Sequence, residues 1–186
     1  QQSDLMQAYR LFTLALAGSA EMGAMNRLRE RNDLSVEAAW RLAAAYVLAG
    51  QPEAARELIR DKGTKLNAYK GFSPTYGSAE RDEAMILETL VLLGDREKAF
   101  PLVKHLSSVL SGDYWLSTQT TAYSLMAISR FAGKTKSESG LKFSYTFSQS
   151  KSVNASTGKP VIQINIPRNI SDQGSVQISN KGVGIL

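Results

Sequence analysis

Three groups of side chains in this sequence have types and spacings that could support chemistry. Residues 117–121 (STQTT) combine four hydroxyl groups with one amide, and a hydroxyl beside a base is the arrangement of a nucleophilic site. Glu80, Asp82 and Glu83 form an acidic group, and paired carboxylates at the mouth of a helical toroid hydrolyse glycosidic bonds in some enzymes. His105, the single histidine, is a candidate base.

Each group also has a simpler structural explanation. Ser and Thr side chains accept hydrogen bonds from the free N–H groups of a first helical turn, so Ser117 is a natural N-cap. Ser78 is a second N-cap, and the helix dipole favours the acids that follow it. His105 has no partner triad and no metal-ligand spacing, and is predicted to be an ordinary helix side chain. We therefore predict no catalytic residue, no cofactor and no metal site.

The helix that follows Ser117 is predicted to be packed on more than one side. Its apolar residues spread around most of a 3.6-residue helix rather than forming one stripe. One side carries Ala122, Leu125, Ile128 and Ala132, and the rest is filled by Tyr123, Met126, Ala127 and Phe131.

Composition limits the class of protein. With 186 residues, of which 43% are hydrophobic, the chain can form one core or one core plus part of another. No apolar run approaches the roughly 20 residues that cross a bilayer, so direct membrane insertion is not expected. The absence of cysteine excludes disulfides, thiolate metal sites and a cysteine nucleophile within these residues.

The net charge of +5 comes from the last part of the chain. Residues 1–133 hold 15 basic and 15 acidic side chains, whereas residues 134–186 hold 7 and 2. These basic residues are scattered singly through strand-like sequence, without the basic face or stacking platform of nucleic-acid-binding proteins. A nucleic-acid partner is therefore not expected.

The apolar pattern changes from helical spacing to alternation, which predicts an α+β fold. Residues 1–133 are predicted to be helical, 134–140 to be a linker, and 141–186 to be antiparallel β structure. Predicted strands begin at Leu141 (LKFSYTFS), at Val161 (VIQINIP), at Ser175 (SVQIS) and at Val183 (VGIL), with turns at STGKP, SDQG and NKG.

Seven helices arranged as hairpins are predicted in the first part. Gly18, Gly50 and Gly94 each follow an apolar helical segment, where a left-handed residue ends a helix, while Pro52 and Asp95 begin the next helices. The unequal spacing of these hairpins favours an α/α toroid over a regular solenoid. The predicted helices lie near 4–17, 20–30, 35–49, 52–61, 79–93, 96–110 and 118–132. The segment between the fourth and fifth helices is predicted to be a loop held by Phe72 and Tyr76.

These helices resemble a known family. STQTTAYSLMAISRF closely resembles the Ser-Thr-Gln-x-Thr helix near the end of the thioester domain of α2-macroglobulin and complement proteins. TYGSAERDEAMILETLVLLGD and QAYRLFTLALAGSAEMGAMNRLRE look like the matching helices of bacterial α2-macroglobulins. KFSYTF, KPVIQINIP and GSVQISNKGVGIL are similar to strands of the CUB-like β domain that follows the toroid in that family.

The resemblance implies the later part of a thioester-domain toroid and part of the following β domain. Both ends of the sequence are consistent with a fragment of a longer protein. The matching signature residues are expected to be structural, and they are Tyr76, Gly77, Ser78, Arg81, Asp82, Ser117, Thr118 and Gln119. The family captures proteases after a bait segment is cleaved, and many members acylate the captive through a Cys-x-Glu-Gln thioester, a motif that this sequence lacks.

Three hypotheses about function follow. The first is a non-catalytic part of a bacterial protease-trapping inhibitor, whose partners would be target proteases and other domains of the same chain. By analogy with the family, it would be periplasmic, at the cell surface or secreted. The second is a helical-repeat scaffold that binds a protein, which leaves the β segment unexplained. The third is a toroid enzyme, which needs a convergent set of acids that the sequence does not supply.

Overall fold

Seven helices precede three strands along the described part of the chain, which confirms the predicted α+β class. The computed structural model describes residues 3–66, 77–113, 115–133, 141–148, 150–158, 162–165 and 174–182. The chain divides into two units, residues 1–131 and residues 132–186. The helices are α1 (Asp4–Leu16), α2 (Met22–Arg29), α3 (Val36–Leu48), α4 (Pro52–Ile59), α5 (Ala79–Leu93), α6 (Arg96–Leu110) and α7 (Thr118–Gly133).

The three predicted hairpin turns share one backbone geometry. Gly18, Gly50 and Gly94 have φ angles of 79°, 76° and 77°, a left-handed conformation that glycine adopts without a steric penalty. In each turn the N–H of the next residue donates to a carbonyl five residues earlier, at 2.8–3.0 Å. Pro52 opens α4, and the Asp95 side chain caps α6 by accepting from the Lys98 N–H at 3.2 Å. The local sequence signals therefore predicted these turns correctly.

Helix α3 lies at the centre of the helical unit. It packs against α1, α4 and α5, while α2 contacts α1 and α3, and α6 contacts α5. Every residue of α3 from Ala38 to Tyr46 is buried, because small alanines allow neighbouring helices to approach on several sides.

Helices α1, α5 and α7 begin at the same end of the helical unit. Ser78 contacts Thr120, and Glu88, ten residues further along α5, pairs with Arg130, ten residues further along α7. Because the second contact lies ten residues further along both helices than the first, α5 and α7 run parallel. Tyr9 of α1 hydrogen-bonds to Tyr123 of α7. The first turns of α1, α5 and α7 also line one cavity, through Leu5, Arg81 and Gln119, so the three helix starts lie close together.

The packing predicted for α7 is only partly correct. Its inward face consists of Thr120, Ser124, Ala127 and Phe131, at the expected helical spacing. Leu125 and Met126 are 55% and 49% exposed, and Ala122 and Ala132 are exposed as well. The prediction of packing on more than one side is therefore wrong within the described residues, because the described helices cover only one face of α7.

The described part of the second unit contains a three-stranded antiparallel sheet with the order β2-β1-β3. Its strands are β1 (Leu141–Phe147), β2 (Val153–Thr157) and β3 (Val176–Asn180). Tyr145 lies opposite Val153 in β2 and Ile178 in β3. The rings of Phe143, Tyr145 and Phe147 are neighbours, at 6.3 and 5.2 Å between centroids, so these three side chains share one face of β1.

Two strand predictions are wrong. Residues 153–157 form β2 although their sequence, VNAST, has no clear apolar alternation, because pairing with β1 decides the structure there. Ser156 and Thr157, predicted to be in a turn, belong to this strand. Residues 162–165 form no strand despite their alternating isoleucines, which have no pairing partner among the described residues. The strand predicted at Val183 lies outside the described residues.

Candidate functional site

The signature residues meet where α5 and α7 begin. We call this group the α5–α7 clasp, defined by Gly77, Ser78, Arg81 and Asp82 at the start of α5 and by Ser117 and Gln119 at the start of α7. The clasp also includes Thr120, which lies at the variable position of Ser-Thr-Gln-x-Thr. Every member lies within the first turn of its helix or just before it. The two sequence motifs, about 40 residues apart in the chain, therefore form one structural site.

Three hydroxyl groups connect the two helix starts. Ser78 Oγ accepts from the Arg81 N–H and Ser117 Oγ accepts from the Thr120 N–H, each at 3.1 Å, so both serines are N-caps as predicted. Thr120 Oγ1 lies 2.9 Å from both serine oxygens and is buried. Among the described residues no imidazole or carboxylate hydrogen-bonds to these hydroxyls, so none of them has the base that activates a nucleophile.

A buried ion pair forms the other half of the clasp. Arg81 donates to Asp82 Oδ1 from Nε at 2.8 Å and from Nη2 at 2.7 Å. Its Nη1 donates to Gln119 Oε1 at 3.3 Å, which adds a side-chain link between α5 and α7. Both members of the ion pair are buried, so Asp82 does more than the dipole interaction expected from its place in a first turn.

Gly77 provides the space that the Arg81 guanidinium occupies. A Cβ atom at residue 77 would lie 2.6 Å from Arg81 Cζ and 2.8 Å from its Nη1, closer than real Cβ atoms approach other atoms. The glycine in the signature is therefore explained by a side chain four residues later. Of the remaining signature residues, Thr118 is exposed at the first position of α7, and Tyr76 lies outside the described residues, as does Phe72.

Sequence reasoning missed a second polar cluster, the triad of Arg41, Glu88 and Arg130, of which the first two are buried. Arg41 Nη1 donates to Glu88 Oε2 at 2.8 Å, and Arg130 pairs with the other carboxylate oxygen. The Arg41 guanidinium also lies 4.2 Å from the Phe12 ring centroid, in the range of a cation–π contact. One feature of the sequence could have indicated this cluster, namely an arginine inside the otherwise apolar segment AAWRLAAAY. A charged side chain at such a position needs a buried partner.

Burial changes the acid–base properties of this region. Desolvation lowers the pKa of Arg41 to about 10, because removal from water disfavours the charged guanidinium. Two of its nitrogens, Nε and Nη2, have no hydrogen-bond partner in the described structure. The hydroxyls of Tyr9 and Tyr123 hydrogen-bond to each other, and desolvation followed by this bond raises the pKa of Tyr123 well above its usual value.

His105, which was predicted to be an ordinary helix side chain, has a hydrogen-bond partner. Its Nδ1 atom is 2.6 Å from Glu83 Oε2, so the pair resembles the base and the orienting carboxylate of a catalytic dyad. No other described side chain hydrogen-bonds to either residue. His105 is an exposed side chain of α6, and Glu80, the third acid of the predicted group, has no hydrogen bond to this pair.

No group of three or more His, Asp or Glu side chains in the described ranges is placed to hold a metal ion. No described helix is long and apolar enough to cross a membrane.

Comparison with known proteins gives no further assignment. No family model, curated protein or solved structure matches this chain. The function proposed below is therefore supported by the signature residues and by the contacts that they form.

Proposed function

We propose that the helical unit is a non-catalytic module of a larger protease-trapping protein of the α2-macroglobulin type. The observation that supports this proposal is the α5–α7 clasp. The signature residues Arg81 and Gln119 hydrogen-bond across the two helix starts, and Ser78 bonds to Thr120, at the variable position of the second motif, as expected of side chains with a structural role. In such a protein the module would transmit or resist the rearrangement that follows bait cleavage, while the capture itself involves other segments.

The test uses the protein encoded by the complete gene. We expect incubation with trypsin, chymotrypsin or elastase to cut a segment outside residues 1–186. The captured protease should keep its activity on small peptide amides and lose it on casein, because a trapped enzyme is accessible only to small substrates. Failure of every protease to be captured would contradict the proposal.

A matched variant tests the structural role of the clasp. Ser117→Ala removes an N-cap, so we expect the free energy of unfolding to fall by about 1 kcal/mol while protease capture is retained. Thr118→Ala, at the exposed neighbouring position, is the control and should change neither property. Loss of capture by Ser117→Ala at unchanged stability would show that the hydroxyl has a chemical role.

The second candidate, a helical protein-binding scaffold, is favoured by the repeated hairpin turns and by an open groove. The groove has a volume of about 830 Å³ and lies between α4, α5 and α6, with Leu90, Leu93 and Leu102 among the residues that line it. A regular series of similar hairpins throughout the encoded protein, together with no response to proteases, would favour this candidate.

A further inference from the structure

A cavity opens at the end of the helical unit where α1, α5 and α7 begin. Its volume is about 420 Å³, within the range of small-ligand sites in proteins. Arg81 and Met85, both buried, belong to the wall, and the exposed residues Met6, Arg10 and Gln119 belong to it as well. Leu5 and the two tyrosines of the Tyr9–Tyr123 pair complete the lining. The cavity therefore combines an apolar surface with a few polar groups.

The charges around this cavity are unbalanced. The two charged side chains that line it, Arg10 and Arg81, are both arginines. Asp82, which does not line the cavity, neutralises the charge of Arg81 through its ion pair. Arg10 forms no ion pair with any described residue. In addition, α7 has no acidic side chain in its first turn, so its helix dipole places uncompensated partial positive charge at this end of the unit. A negatively charged group would be favoured here.

Hydrogen-bond donors point to the same ligand chemistry. In the Tyr9–Tyr123 pair one hydroxyl donates to the other, so one hydroxyl proton is left without an acceptor among the described residues. The Gln119 side chain uses its oxygen to accept from Arg81, which leaves its NH₂ group as a donor. Guanidinium, hydroxyl and amide donors beside apolar side chains suit a carboxylate that is attached to an apolar body.

We propose that this cavity binds a small monocarboxylate with an apolar body, its carboxylate at Arg10 and its body against Leu5, Met6 and Met85. The source of the carboxylate is either a peptide C-terminus or a free fatty acid, and both share this chemistry. The proposal goes beyond the protease-trapping function and does not depend on it.

The test is a titration of the ¹⁵N-labelled 186-residue chain followed by NMR. The probes are two pairs of compounds that differ only in charge, N-acetyl-leucine with its amide and hexanoate with hexanamide. We expect each acid to give saturable shifts at the starts of α1, α5 and α7, and each amide to bind about tenfold more weakly. Tighter binding of N-acetyl-leucine would indicate a peptide C-terminus, and tighter binding of hexanoate a fatty acid.

Substitutions at two lining residues, Arg10 and Leu5, make the test specific. Arg10→Gln should reduce the affinity of the acids to that of the amides, and Arg10→Lys should restore most of it, since the charge returns. Leu5→Trp, which fills the cavity, should abolish binding of all four compounds. Arg56→Gln, in the other groove, is the control. Equal affinity of acid and amide, or unchanged affinity in Arg10→Gln with its fold intact, would overturn the proposal.

Discussion

Replacing Glu88 with glutamine tests how the triad of Arg41, Glu88 and Arg130 contributes to stability. Arg41 is fully buried and depends on Glu88 for its ion pair, whereas the Arg130 side chain is 39% exposed and can turn towards water. Removing one partner of a buried pair costs about 3–5 kcal/mol, because the remaining charge stays unpaired. Since a glutamine oxygen still accepts one hydrogen bond, we expect Glu88→Gln to lose about 3 kcal/mol and Glu88→Ala to lose more.

The measurement is urea unfolding followed by tryptophan fluorescence and far-ultraviolet circular dichroism. Trp40 is buried in α3 and donates to the Gly63 carbonyl oxygen at 3.0 Å, so its emission reports on the helical unit. Glu57→Gln is the control, because its pair with Arg29 is largely exposed and should contribute less than about 1 kcal/mol. A loss in Glu88→Gln no larger than in this control would refute the role assigned to the triad.

Three further predictions concern the clasp, the tyrosine pair and the sheet. Gly77→Ala should lower the free energy of unfolding by about 1–3 kcal/mol in urea titrations, because the new methyl group displaces the Arg81 guanidinium. Above pH 10 the native chain keeps the Tyr123 proton that the unfolded chain loses, so the free energy of unfolding should fall as pH rises. The melting temperature of Tyr123→Phe should therefore fall less steeply between pH 9 and 11 than that of the unsubstituted chain. Amide hydrogens of β2 and β3 should exchange faster than those of α3 and α5, since each strand has one unpaired edge in the described sheet; equally slow exchange would contradict this.

Local signals in the sequence account for what could be predicted. Helix starts and ends depend on a few neighbouring residues, so glycine stops and serine caps gave helix bounds within about two residues. Strand pairing depends on distant partners, which explains why β2 was missed and why the alternating residues 162–165 were wrongly predicted as a strand.

In the candidate site, too, the local interactions could be predicted from the sequence and the long-range contacts could not. Ser78 and Ser117 were predicted as caps because capping is a local interaction. The Thr120 bridge and the Arg81–Gln119 hydrogen bond join residues about 40 positions apart, which no local pattern reveals. The burial of Asp82 and the pairing of Arg41 with Glu88 likewise depend on how whole helices pack.

Helix α7 shows why polar contacts matter in this fold. α3 buries nine residues and is fixed by apolar packing, whereas α7 buries four, of which two are hydroxyl residues and one is alanine. Apolar burial alone therefore stabilises the docking of α7 much less. Its position is set at three points along its length, by Thr120 in the clasp, Tyr123 with Tyr9, and Arg130 with Glu88. Because hydrogen bonds and ion pairs need specific geometry, these contacts select one register for α7, and the uncharged outer face of Leu125 and Met126 adds nothing to that choice.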